Sequence, residues 1–185
     1  MSKIQVDTID TRSGTSTLTL GSTNASTIAL GSGDVQSNFL YPVFEATRSG
    51  SQTISDNTNT KIACDVETWD SAGNYDNSTN YRFTPTTAGK YYIYGQAVCS
   101  IAQEQIVRYS LFIRKNGSDV KYMSYYFTGN PAYIVPSYVA TIIDFNGSSD
   151  YVELWCKIEK ASSGTIVIDG GTPGPTFGGY KLIGA

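Results

Sequence analysis

The chain is 185 residues long with 40% apolar and 16% charged residues, a composition that fits one globular domain plus an appendage and excludes a wholly disordered chain. Thirteen Lys and Arg against sixteen Asp and Glu leave a net charge of −3, too little basic surface for a nucleic-acid partner, and no apolar run approaches the roughly eighteen residues that span a bilayer. Histidine is absent, which removes Ser-His-Asp and Cys-His nucleophile chemistry together with every His-containing metal site.

Residues 1–40 form the first unit. Positions 1–38 hold no aromatic residue, and all 14 Tyr, 7 Phe and 2 Trp follow from Phe39 onward. Thr17-Leu18-Thr19-Leu20-Gly21-Ser22 returns ten positions later as Thr27-Ile28-Ala29-Leu30-Gly31-Ser32. Each copy alternates like a short strand and stops at Gly; Ile4 to Ile9 alternates likewise. Strands this short cannot bury a core within one chain. They read either as an extended β arm that pairs with other chains or as a flexible Ser/Thr linker. Met1 to Asp10 shows no leader pattern, so assembly in a cytoplasm is expected.

Residues 41–185 form the second unit, strand after strand. Ile62, Cys64 and Val66 are expected on one face, with Asp65 and Glu67 outward on an edge strand. Tyr91, Ile93, Gly95, Ala97 and Cys99 share a face, and Val107, Tyr109, Leu111 and Ile113 alternate against Arg108, Ser110 and Arg114. Val152, Leu154, Cys156 and Ile158 are expected inward, with Tyr151, Glu153, Trp155, Lys157 and Glu159 outward. Asn116-Gly117 and Asn146-Gly147 are hairpin signals, because both central residues of a type I′ turn need positive φ. Eight or nine such strands imply an antiparallel sandwich of jelly-roll type. Cys64, Cys99 and Cys156 fall on apolar faces far apart in sequence, and read as three buried thiols or as one disulfide plus an odd thiol.

Several segments in this second unit resemble C1q-like domains. Phe83-Thr84-Pro85 with Gly89-Lys90-Tyr91 is similar to the family's Phe and Pro before Gly-x-Tyr. Phe44-x-Ala46, Asn116-Gly117, Asp150-Tyr151-Val152-Glu153-Leu154 and Phe177-Gly178-Gly179-Tyr180-Lys181-Leu182 resemble further family segments in the same order. The resemblance covers about residues 42–185. It implies an all-β antiparallel jelly roll of C1q/TNF type and a homotrimer. The upstream part departs from it: animal members carry a leader and collagen repeats, whereas Lys3-Ile4-x-Val6-Asp7-Thr8-Ile9 and the Ser/Thr/Gly repeats look like the start of bacteriophage virion proteins.

From this resemblance a virion surface protein is expected. Residues 1–40 would attach it to a capsid, neck or tail protein, and the jelly roll would serve either host adhesion or capsid decoration. A polysaccharide-degrading enzyme is the remote alternative, with Asp65, Glu67, Asp70 and Asp76 as its candidate acids. No catalytic residue, cofactor or metal ligand is assigned. Phe112, Tyr151 and Trp155, large aromatics on otherwise charged faces, are expected at the trimer seam. The Trp69–Asn80, Ile101–Gln105, Phe127–Pro136 and Ala161–Pro175 loops are expected at one pole, opposite both termini. Trp69, Tyr75 and Tyr133 there would meet a host-surface glycan.

Overall fold

The computed structural model describes residues 41–103, 105–171 and 174–182; the expected arm at residues 1–40 lies outside them. Among the described residues the secondary structure is all strand. In chain order the strands are β1 (Val43–Thr47), β2 (Gln52–Ile54), β3 (Thr60–Lys61), β4 (Val66–Asp70), β5 (Tyr75–Asp76), β6 (Arg82–Phe83), β7 (Gly89–Ser100), β8 (Ile106–Lys115), β9 (Ser118–Tyr126), β10 (Ile134–Phe145), β11 (Val152–Lys160), β12 (Ile166–Ile168) and β13 (Thr176–Lys181).

Two antiparallel sheets result. In sheet 1 the order is β2-β12-β7-β13-β1-β4, with β10 along the free side of β7; in sheet 2 it is β5-β6-β11-β8-β9, with β3 also on β11. The long strands mostly obey the expected alternation: Val152, Leu154, Cys156 and Ile158 are fully buried, as are Tyr91, Ile93, Tyr109, Leu111 and Ile113, but a register shift at the start of β8 buries Ile106 and leaves Val107 half-buried, and Ser110, expected outward, is buried. Their inward faces interdigitate into one core between the sheets. At one end of it Phe44 stacks on Phe83, with ring centroids 4.1 Å apart, and meets Phe177 edge-on at 5.1 Å.

Asn116 and Gly117 sit at φ 51° and 79°, so the side-chain-free Gly and tolerant Asn make the tight β8–β9 turn. Asn146-Gly147 differs from expectation: it carries the chain from β10 in sheet 1 to β11 in sheet 2, and a crossing between sheets is no hairpin. Val66 also departs from its expected face. The chain leaves sheet 2 after β3 and joins sheet 1 at β4, so Ile62 and Cys64 are buried while Val66 is exposed. These very short strands raise the count above the nine expected, since each needs only two or three paired residues and leaves almost no periodic trace.

All three cysteines are free and buried. Burial pushes the Cys64 and Cys99 thiols up to about 12 and Cys156 further above its usual value. Because the thiolate is the reactive form, native protein at pH 8 is expected to be inert to a disulfide reagent, with three thiols per chain appearing only in denaturant. Rapid labelling of folded protein would contradict that.

Candidate functional site

Sheet 1 turns a second apolar face outward. Because Tyr91, Ile93 and Ala97 of β7 point into the core, Tyr92, Tyr94 and Gln96 point away from it. The register places Ile142 of β10 opposite Tyr92, Ala140 opposite Tyr94 and Tyr138 opposite Gln96, and Tyr180 of β13 lies against Tyr92 on the other side. The Tyr92 and Tyr138 hydroxyls share a 2.9 Å hydrogen bond, and the Tyr94 hydroxyl donates to Glu45 at 2.6 Å. The hydrogen bond to Tyr92, with burial, holds the Tyr138 phenol up at about 12. An added Cβ at Gly178 would come within 2.5 Å of the outer end of the Tyr94 ring, so any side chain there would displace that tyrosine. Nothing in the described chain covers this surface: Tyr138 and Ile142 remain 49% and 57% exposed. Beside it, β9 has no buried residue, and Val120, Tyr122, Met123, Tyr125 and Tyr126 are all exposed along that rim.

The outer face of sheet 2 holds the three residues expected at the trimer seam, and there they meet partners from their own chain. Arg114 lies over the Trp155 ring at 4.5 Å and near Phe112 at 5.6 Å, and Lys61 approaches the other side of Trp155 at 5.6 Å. Arg82 caps Tyr151 at 4.4 Å. Glu153, buried despite its outward position, pairs with Lys61 at 2.5 Å and accepts from Trp155 Nε1 at 2.9 Å. These contacts leave Phe112, Tyr151 and Trp155 half-buried, as are Tyr92 and Tyr180 on sheet 1. The more exposed apolar pair, Tyr138 and Ile142, stands on sheet 1. The sequence does carry a signal for them: β10 is apolar on both alternating faces, with Val135, Val139 and Ile143 inward and Ile134, Pro136, Tyr138, Ala140 and Ile142 outward. A strand apolar on both sides expects cover on both sides.

The structure does not bring the three expected ligand-binding aromatics together. Tyr75 is a core residue, only 7% exposed, stacked on Phe44 and donating its hydroxyl to the Cys64 carbonyl. Trp69 is 66% exposed but lies on edge strand β4 opposite Glu45, on the face of sheet 1. Tyr133 is exposed at the far end, where its carbonyl accepts from the Ile101 N–H. The expected grouping fails because β4 runs toward the end where β1 begins. The 71–80 loop therefore belongs to the pole of the Asn116-Gly117 turn, bonded there through Ser71 to Val43 and Thr84 to Asn74. The described chain also starts and finishes at this pole, with Lys181 donating to Pro42 and Leu182 to Lys90. The opposite, distal pole carries the loops around Ile101, Phe127–Tyr133 and Ala161.

Of the four acids considered for hydrolysis, Glu67 is exposed on edge strand β4 and the other three bond to backbone. Asp65 takes the N–H and hydroxyl of Ser49, Asp70 takes the N–H groups of Ala72 and Tyr75, and Asp76 takes those of Ser78, Thr79 and Asn80. Asp76 is thereby held well below the usual carboxylate range, foremost by the Thr79 N–H. Asp150 is held down at about 2, foremost by Lys115 at 2.8 Å and then by Asn116 at 2.7 Å. Folded-state values below the unfolded ones give stability that is present above about pH 4 and lost as pH falls through the folded values. The urea midpoint is thus expected to stay level from pH 8 to about 5 and to drop between about pH 4 and 2. Asp76→Asn and Asp150→Asn should each flatten that drop; an unchanged slope in both would refute the assignment.

Depressions in the surface are shallow. One of about 140 Å³ lies on Gln96, Val98, Pro136, Ser137 and Gly174, and another of about 300 Å³ on Lys115, Asp144, Asn146 and Asp150. Neither reaches beyond the low end of small-ligand pockets, roughly 300–1,000 Å³. The extended faces, not a cleft, are the surfaces with chemistry to offer.

No family model and no curated protein sequence matches this chain. Solved structures do. The globular domain of zebrafish complement 1qA superposes with a TM-score of 0.50 at 13% identity, over 76% of this chain and 97% of that domain. Murine APRIL superposes with a TM-score of 0.56 at 10% identity, over 76% of this chain and 98% of that one. The described domain therefore has the jelly-roll fold shared by C1q and TNF-type domains.

Proposed function

We propose that the chain is a non-enzymatic, homotrimeric surface module of a bacteriophage-like virion, held to the particle through residues 1–40 and presenting its jelly roll for host attachment. The observation that carries the assembly is the uncovered apolar face of sheet 1, on which Tyr92, Tyr138, Ile142 and Tyr180 are left by their own chain. From β10 to β4 that face spans four strand spacings, about 19 Å. With the length of β7 this approaches the roughly 800 Å² per partner of a standard interface. Three copies related by one common three-fold rotation, each setting this face against its neighbour, would make a closed ring.

The C1q/TNF-type fold supports self-association, and the virion setting rests on the resemblance of residues 3–9 and the Ser/Thr/Gly repeats to phage virion proteins. The described ends lie at one pole of the jelly roll, and the loops around Ile101, Phe127–Tyr133 and Ala161 lie at the other. Against hydrolysis by paired carboxylates stands the engagement of Asp65, Asp70 and Asp76 with backbone. Capsid decoration is the second reading, favoured by the shallowness of the surface depressions. Equilibrium sedimentation of the full chain at low micromolar concentration should return three times the monomer mass. Gold-labelled antibody to the chain should then mark the tail end of the particle. A monomer removes the assembly, and labelling spread over the head replaces attachment by decoration.

A further inference from the structure

We infer that the outer face of sheet 2 is a docking platform for a carboxylated polysaccharide, an inference that rests on the attachment reading and names its ligand class. If the copies associate through sheet 1, this is the large sheet face left to solvent. It is built as a stripe of alternating cations and aromatic rings: Arg82 on Tyr151, Lys61 and Arg114 on the two sides of Trp155, Arg114 again near Phe112, and Arg108 near Tyr126 at 5.8 Å. Three strand spacings separate β6 from β9, about 14 Å, the reach of a short oligosaccharide.

The charges of the face are sorted. Its acids are used internally: Glu153 on Lys61 and Trp155, Asp119 on Arg114, Glu159 3.7 Å from Arg108, and Asp76 on its own loop. Among the described residues, the Arg82 and Lys157 side chains form no hydrogen bond or ion pair; the register sets Arg82 between Asp76 and Glu153, but those carboxylates are taken by the Thr79 N–H and by Lys61. On a chain of net charge −3 such cations are a local feature. Arg82 is also oriented, because its guanidinium is held on the Tyr151 ring, and a planar guanidinium fixed in that way suits bidentate contact with a carboxylate. At the β9 end Tyr122 and Tyr126 stay 60% and 68% exposed, giving flat surfaces for the C–H faces of sugar rings.

A neutral glycan would use the rings and leave Arg82 and Lys157 idle. Single-stranded nucleic acid also stacks on aromatics, but its phosphates need denser free cations than two. An acidic polysaccharide uses both features.

The test takes the full chain and measures its retardation in native gels containing polygalacturonate, fully methyl-esterified polygalacturonate, dextran or no polymer, with oligothymidylate binding measured separately. Polygalacturonate should retard it most, and Arg82→Gln with Lys157→Gln should weaken that binding by about tenfold or more, as expected for two charge-assisted contacts. Tyr126→Ala should weaken it less, and circular dichroism and sedimentation should be unchanged in all variants. Equal retardation by the ester or dextran, an unaffected double variant, tighter binding to oligothymidylate, or no retardation at all overturns the inference. Gold labelling at the tail with no polygalacturonate binding leaves attachment standing and removes this site. Labelling on the head with binding intact does the reverse.

Discussion

Replacing Phe44 with Ala is expected to lower the unfolding free energy by about 3–5 kcal/mol, the cost of deleting a fully enclosed aromatic ring. Phe44 lies on β1 in sheet 1, yet its ring reaches across the core. It stacks on Phe83 of sheet 2 at 4.1 Å and on Tyr75 at 5.4 Å, and meets Phe177 edge-on. Its loss leaves a cavity walled by both sheets, and rigid strands on each side give little room for collapse. Tyr75→Phe provides the scale: it removes only the hydroxyl bonded to the Cys64 carbonyl and should cost about 1–2 kcal/mol. Urea titrations at one fixed protein concentration check both values, since association makes stability concentration-dependent. A Phe44→Ala loss no larger than that of Tyr75→Phe would show that this cluster is not the clamp between the sheets.

The fold was largely legible because long strands write their faces into the chain. Val152 to Ile158 alternates without a break, and Asn116-Gly117 has the φ values its residue types suggest. Legibility ends where elements shorten. Between Thr47 and Gly89 the chain makes five strands of two to five residues and crosses between sheets, so counting turns gives the wrong pole for the 71–80 loop. Tyr75 shows the same limit. Its loop position suggests exposure, but a stretch bounded by two-residue strands folds back and uses the ring as core. Trp155 shows another limit: its outward position is right, and what the sequence conceals is that Arg114 and Lys61, distant in the chain, both approach the ring.

That difference sets up the second large effect, because two sheet faces compete for the seam. Ile142→Asp combined with Tyr138→Asp is expected to turn a trimer into monomers. Both side chains stand on the outer face of β10, 49% (Tyr138) and 57% (Ile142) exposed in the single chain, so a carboxylate there leaves the monomer fold nearly untouched. In the assembly each would be desolvated against a neighbour's apolar surface without a partner, at about 2 kcal/mol or more apiece, the size of an interface hot spot. Two such sites weaken each contact by about a thousandfold at about 1.4 kcal/mol per tenfold. Loss of the Tyr92–Tyr138 hydrogen bond adds little, because those hydroxyls are exposed. Trp155→Ala, which removes the ring between Arg114 and Lys61, should by contrast leave the trimer intact in sedimentation while weakening its own domain. The reverse pattern, with Trp155→Ala dissociating and the double Asp variant still trimeric, would move the seam to sheet 2. It would also bury Arg82 and Lys157 and take the polysaccharide platform with them.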